Sequence, residues 1–248
     1  MLPQLTRNLP CVEPLDQGQI ERIDHESMRI LEEVGVDYRD PIALEQWRQA
    51  GARVDGQRVY ADRGLIKELI KTIPKKLTLH ARDPEKTVKL GGPNSIFVPM
   101  TGAPYMRDLN GVRRNPAIAD LGTFHKLSHM LPAIHSSAHH IIEPMDLPVA
   151  YRHLHITYSS MKYSDKTFMG MTTSGKNAED VIKMCAILFG DDYMETHPVV
   201  TGNVNGNSPL VWDETMLSAL RAFAVKNQPI LISPFVLGGA NTPASTVP

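Results

Sequence analysis

An α/β fold on a mainly parallel sheet is what this 248-residue sequence predicts. From Ser95 onward, short apolar strands alternate with amphipathic helices, the pattern of strand–helix crossover units. The first ninety residues differ, being capped helices interrupted by hairpins. The composition is globular, 42% hydrophobic and 21% charged, and 26 Lys plus Arg against 27 Asp plus Glu leave a net charge of −1. That balance argues against nucleic acid as a partner, which calls for a basic excess. Cys11 and Cys185 make neither a disulfide framework nor a zinc quartet, so a reducing compartment is expected, and no directly bound metal is expected either. With no signal-like N-terminus and no apolar run of ~18 residues, a soluble, cytoplasmic protein without a membrane partner is expected.

Along the N-terminal part, Asp16 and Gln19 have capping-box spacing, Ile20, Ile23, Ile30, Leu31 and Val34 share one apolar helix face, and Gly35 suits a left-handed helix end. A second helix starts at Asp40-Pro41 and stops at Gly51. A third runs from Asp62 through Leu65, Ile66, Leu69, Ile70 and Ile73 to Pro74, which disfavours helix in the residue before it. Residues 53–59 form a hairpin on Asp55-Gly56, and strand pieces at 77–81 and 87–90 lead to Gly91-Gly92-Pro93. A boundary there gives an N-terminal helical and hairpin extension, residues 1–92, and a second domain, residues 93–248.

In that second part the expected strands are 96–100, 134–142, 167–172, 199–204 and 230–237. The expected helices are 116–129, 148–161, 177–189 and 214–225, and a hairpin over 105–114 turns on Asn110-Gly111. After Gly238-Gly239-Ala240-Asn241, Thr242-Pro243 has the form of an N-cap and first helical position. Five units opening into a sixth fit a (β/α)8 TIM-type barrel, incomplete at about five strand–helix units and preceded by an α+β extension. An open doubly wound sheet is the competing arrangement.

Several segments carry a resemblance: Leu31-Glu32-Glu33-Val34-Gly35-Val36, Met100-Thr101-Gly102-Ala103-Pro104, Asp108-Leu109-Asn110-Gly111, Ile142-Glu143-Pro144-Met145-Asp146, Gly202-Asn203-Val204-Asn205, Ser208-Pro209-Leu210 and Gly238-Gly239-Ala240-Asn241-Thr242-Pro243-Ala244. Together they resemble the trimethylamine methyltransferase family. The resemblance implies a (β/α)8 barrel that moves a methyl group from a methylated amine to the cobalt of a corrinoid carried by a partner protein. Family proteins are about twice this length, so the chain looks like the N-terminal half, and the position that holds pyrrolysine in trimethylamine-specific members lies in the other half. No residue present carries pyrrolysine and relatives without it outnumber those with it, so the resemblance makes a quaternary amine such as a betaine the expected donor, and self-association is a further expectation.

In a barrel the working residues lie at C-terminal strand ends. That rule, read with the resemblance, selects Tyr105, His139, Glu143, Thr172, Asn203, Asn205 and Phe235 for the substrate, with Gly238 and Gly239 where a bulky corrinoid could approach the backbone. Tyr105 and Phe235 are the aromatic walls for a cation, and Asn203 and Asn205 the anchors for a carboxylate or corrinoid amide. No residue is assigned a catalytic role. His135, His139, His140 and Glu143 invite a metal, but strand alternation sends His139 and His140 to opposite faces, leaving no third ligand. His153 and His155, two apart on a helix, are expected at the surface. Residues 202–206 lack dinucleotide spacing, and there is no P-loop, nucleophile elbow or Cys-x-x-Cys pair. The competing functions are a different barrel lyase or isomerase acting on a small carboxylate, and a non-catalytic fragment that only binds a partner or a methylated amine.

Overall fold

The computed structural model describes residues 3–207, 209–234 and 238–239. Its principal elements are α1 (Gln17–Arg29), β1 (Val36–Arg39), α2 (Pro41–Gln49), β2 (Arg53–Asp55), β3 (Arg58–Tyr60), α3 (Arg63–Lys71), β4 (Leu77–Leu79) and β5 (Val88–Leu90). They continue as β6 (Met106–Arg107), β7 (Arg113–Arg114), α4 (Ile118–Met130), β8 (Ser136–Ser137), α5 (Val149–Tyr163), β9 (Thr167–Met169) and α6 (Gly175–Phe189). Then come α7 (Asp191–Thr196), β10 (Val200–Gly206), β11 (Val211–Asp213), α8 (Glu214–Val225) and β12 (Ile230–Pro234). The chain divides into two compact units. One takes the chain up to Arg7 with residues 76–204 and 219–231, and the other takes residues 8–75, 205–218 and the described residues from 232 onward.

In the second of these units the Asp16 carboxylate accepts from the Gln19 backbone N–H at 2.8 Å, while the Gln19 side chain accepts from the Asp16 N–H at 2.9 Å. This reciprocal cap starts α1 where the spacing predicts it. Gly35, at φ 74, ends the helical stretch, and a Cβ there would lie 2.7 Å from the Val59 carbonyl oxygen. β2 and β3 form the Asp55-Gly56 hairpin, β3 pairs antiparallel with β1, and β11 adds to β1 in parallel. Along α1 and the turn after it, Ile20, Ile23, Ile30 and Val34 are exposed, whereas Met28 is buried. Arg63 pairs with Glu32 at 2.7 Å and holds its carboxyl down to about 2, mainly through their hydrogen bond.

The other unit is built on a four-stranded sheet in the order β8-β9-β10-β12, with β8–β9 and β9–β10 parallel. Helices α4, α5 and α6 pack in succession along it, and Leu121, Ile156, Val181, Cys185, Val200 and Phe223 are fully buried. Strand 96–100 does not form. Pro99 has no N–H to donate, and the Phe97 N–H is taken by the ring nitrogen Nδ1 of His135 at 3.1 Å instead of a ladder carbonyl. The segment still runs beside the next strand: the Phe97 carbonyl accepts from the His135 N–H at 3.0 Å, and Ala103 makes a parallel bridge to Ile142. The expected strand 134–142 is reduced to Ser136–Ser137 because the chain bends at His139.

Away from the strand ends, Lys166 and His153 are buried polar groups that the local sequence does not mark. Lys166, 3% exposed, donates from Nζ to the carbonyls of Ser128, Leu131 and Ile134 at 2.8, 2.9 and 2.6 Å. It thereby closes the C-terminal end of α4, where carbonyls lack helical partners. His153 is buried rather than on the surface, because the Asp180 carboxylate lies 3.0 Å from its Nε2 and compensates its desolvation.

Close packing of helices on the sheet depends on Gly170. A Cβ there would lie 2.6 Å from Val181 Cγ1 and 3.1 Å from Phe223 Cζ. Gly170→Ala should therefore lower unfolding stability by about 2 kcal/mol, the range of overpacked cores. A urea midpoint equal to that of the parent would contradict this packing.

Candidate functional site

At the C-terminal end of β8 three histidines and an ion pair come together. His139 is 7% exposed, and its ring stacks on His140 with centroids 4.1 Å apart and planes at 19°. The opposite-face expectation for these two residues is thus corrected: alternation holds only in extended strand, and the strand ends at Ser137. The His140 backbone N–H donates to His139 Nδ1 at 2.7 Å, and the Nδ1 atoms of the two rings also touch. Gly102 N–H donates to the His140 carbonyl at 2.8 Å, and Glu143 N–H to the Ala103 carbonyl at 2.9 Å, which fixes the loop from residue 101 against the cluster.

Behind His139 lies His125 on α4. Its Nε2 is 3.2 Å from the His139 carbonyl, which can only accept, so the ring carries its proton there and Nδ1 takes the Ser159 hydroxyl proton at 2.9 Å. That neutral tautomer agrees with burial, which pushes His125 down to about 4 and His139 to about 3. His140 is lowered too, again by burial, against the opposing pull of Glu143. Glu143 Oε2 is 3.6 Å from His140 Nε2, and its Oε1 accepts from Arg152 at 2.7 Å. Arg152 also donates to the Leu147 carbonyl at 2.9 Å. The cluster is therefore electrically close to neutral, with uncharged imidazoles and a carboxylate balanced by a guanidinium.

Other sequence-selected residues fall into separate groups. The Thr172 hydroxyl donates to the backbone carbonyl of Asn203, tying the segment after β9 to the middle of β10. Asn205, further along the strand, accepts from the Ser233 hydroxyl at 2.6 Å. Tyr105 is half exposed, and one face of its ring is covered by the Arg113 guanidinium 3.8 Å away, held there by the hairpin β6–β7. Phe235 lies outside the described residues. Gly238 and Gly239 are exposed, and Gly239 has φ 77. Among the described residues no three His, Cys, Asp or Glu side chains are grouped closely enough to hold a metal ion. Sequence reasoning missed His125 and Arg152. Arg152 could have been found from its place in the first turn of a helix that follows an acidic loop.

The family model for trimethylamine methyltransferase (MTTB) matches residues 1–248. Glycine betaine methyltransferase of Desulfitobacterium hafniense (strain Y51) is 40% identical over 238 residues, 96% of this chain and 50% of that protein. Proline betaine:corrinoid methyltransferase of Eubacterium limosum is 27% identical, covering 91% of this chain and 48% of that one. Trimethylamine methyltransferase MttB of D. hafniense (strain DSM 10664 / DCB-2) is 24% identical over 201 residues, 77% of this chain and 39% of that one. The chain spans about half the length of the curated relatives it matches. Among solved structures, the monomethylamine methyltransferase MtmB of Methanosarcina barkeri superposes with a TM-score of 0.55 at 12% identity, over 89% of this chain and 46% of that one, a likeness of fold. On the match along its whole length, this chain belongs to the trimethylamine methyltransferase family.

Proposed function

We propose that this chain contributes the N-terminal half of an enzyme that moves a methyl group from a quaternary amine of the betaine class to a corrinoid protein. The observation that carries the choice of donor is the 40% identity to a glycine betaine methyltransferase, against 24% to a trimethylamine methyltransferase. In this reading the parallel sheet is the first part of a (β/α)8 barrel, residues 1–92 are its extension, and the enzyme is cytoplasmic. The active protein is longer than this chain, as its curated relatives are.

The partner's corrinoid would supply the nucleophile. The carbon–nitrogen bond breaks with its electron pair left on nitrogen, so the amine departs neutral and needs no general acid. Positive charge on the donor falls as the transition state forms, so an unbalanced carboxylate beside the nitrogen would hold the ground state more tightly than the transition state. The neutral imidazoles of His139 and His140 and the Arg152-balanced Glu143 suit that requirement. Tyr105 and Phe235 are the proposed cation walls, and Asn203 and Asn205 the proposed anchors for the donor's carboxylate. Exposed Gly238 and Gly239 leave the backbone open to a bulky group, as a corrinoid seat requires.

The test is cobalt methylation by the longer parent protein, supplied with a reduced corrinoid protein and either glycine betaine or trimethylamine. Betaine should be demethylated and trimethylamine not, and the 248-residue chain alone should turn over neither. Asn203→Ala in the parent should weaken betaine binding about tenfold while leaving tetramethylammonium nearly unchanged, because only betaine has an anionic end to anchor. Rapid trimethylamine demethylation would overturn the donor class, and equal losses for both ligands would make Asn203 a loop brace.

A further inference from the structure

A groove on the outer side of α5 and α6 is unrelated to the strand-end cluster and encloses about 380 Å³. That is within the range of small-ligand sites. Met161, Met184, Ile187 and Leu188 form its apolar walls, with Tyr158 at one side. Ile187 is 87% exposed and Tyr158 56%, so both present apolar or aromatic surface to water beside the open groove. The two methionines are unbranched and can adapt to a flexible guest.

Two cations, Arg82 and Lys162, line the same groove. Arg82 donates to the carbonyls of Met161 at 2.9 Å and Ser164 at 3.4 Å, which uses two of its five N–H groups. Lys162 lies over the rings of Tyr158 and Tyr163 at 5.6 and 5.4 Å. Among the described residues neither has a carboxylate at ion-pair distance, whereas Lys86, four residues beyond Arg82, sits 2.6 Å from Asp165. An apolar trough with two unmatched positive charges is complementary to a molecule with an apolar body and one anionic end. We propose that this groove is a binding site for a free acyl-chain carboxylate, separate from the methyl-transfer site and independent of the reading proposed for it.

The 248-residue chain is titrated by calorimetry with dodecanoate, dodecyltrimethylammonium and acetate, each below its micellar concentration. Dodecanoate should bind with one-to-one stoichiometry, and the cationic and chainless analogues at least about tenfold more weakly. Lys162→Gln and Arg82→Gln should each weaken dodecanoate about tenfold, the loss of one charge-assisted contact, and Ile187→Glu should abolish binding. Arg82 also braces the end of α5, so the exposed Lys162 and Ile187 variants carry the test if Arg82→Gln unfolds. Equal affinity for the two dodecyl compounds, or unchanged binding in both Lys162→Gln and Ile187→Glu, would overturn the proposal. Sedimentation of the chain with phosphatidylserine vesicles, uncompeted by dodecanoate, would overturn it in favour of a lipid surface. Absence of dodecanoate binding with saturable binding of an acidic amphipathic peptide would overturn it in favour of a protein partner.

Discussion

Acidification from pH 7 to pH 5 should remove about 4 kcal/mol from the stability of the unit built on β8-β9-β10-β12, through His125 and His139 alone. Burial holds these imidazoles down to about 4 and about 3, against an ordinary value of 6.5, and for His139 the charges of His140 and His125 act in the same direction. Because the folded-state values are depressed, the unfolded chain takes up protons first. The contribution is complete above pH 6.5 and is lost as the pH falls towards the folded values. Each unit of pH below 6.5 costs about 1.4 kcal/mol per group, so 1.5 units cost about 2 kcal/mol for each. Urea unfolding at pH 7, 6 and 5 measures the slope. His125→Gln, whose amide can still meet Ser159 and the His139 carbonyl, should roughly halve it. A stability independent of pH over this range would mean that these rings are hydrated in the folded state.

Lys166→Met should cost about 4 kcal/mol at pH 7. The methionine fills most of the aliphatic volume but leaves the Ser128 and Ile134 carbonyls without the donor that the ammonium supplies, while the Leu131 carbonyl keeps the Ile134 N–H, and each buried acceptor left without a donor costs about 1–3 kcal/mol. The three carbonyls converge from the last turn of α4 and the loop after it, so the lysine also fixes where the following strand begins. Arginine should rescue only part of the loss, since a planar fork cannot direct three donors at one convergent set of acceptors. Chemical denaturation of both variants checks this, and a loss below about 1 kcal/mol in Lys166→Met would show that water replaces the ammonium.

Local chemistry made much of the architecture legible. The reciprocal cap of Asp16 and Gln19, the Asp55-Gly56 and Asn110-Gly111 hairpins, and the helices before and after each parallel strand depend on residues close together in sequence. What was not legible depends on distant partners. His153 looked like a surface residue because its compensating carboxylate, Asp180, is on the next helix. Lys166 carried no local sign of burial, since its three acceptors come from residues 128–134. The apolar pattern over 96–100 predicts a strand, but Pro99 lacks an N–H and the distant His135 ring takes the Phe97 N–H from the ladder. At the candidate site the position of His139 and Glu143 after a strand was readable. The bend that stacks His139 on His140 and the Arg152 contact that balances Glu143 were not, as both arise from how loop and helix meet.

Cys185 and Cys11 give the molecule a built-in clock and a built-in handle. Cys185 is wholly enclosed within α6, and burial pushes its thiol far up, so alkylating reagents meet neither an accessible sulfur nor a thiolate in the native state. Cys11 is exposed in the other unit. A maleimide added to the native protein therefore marks Cys11 first. The slow second modification, at Cys185, is gated by how often the unit of residues 76–204 opens, so its rate reports that opening directly, without denaturant.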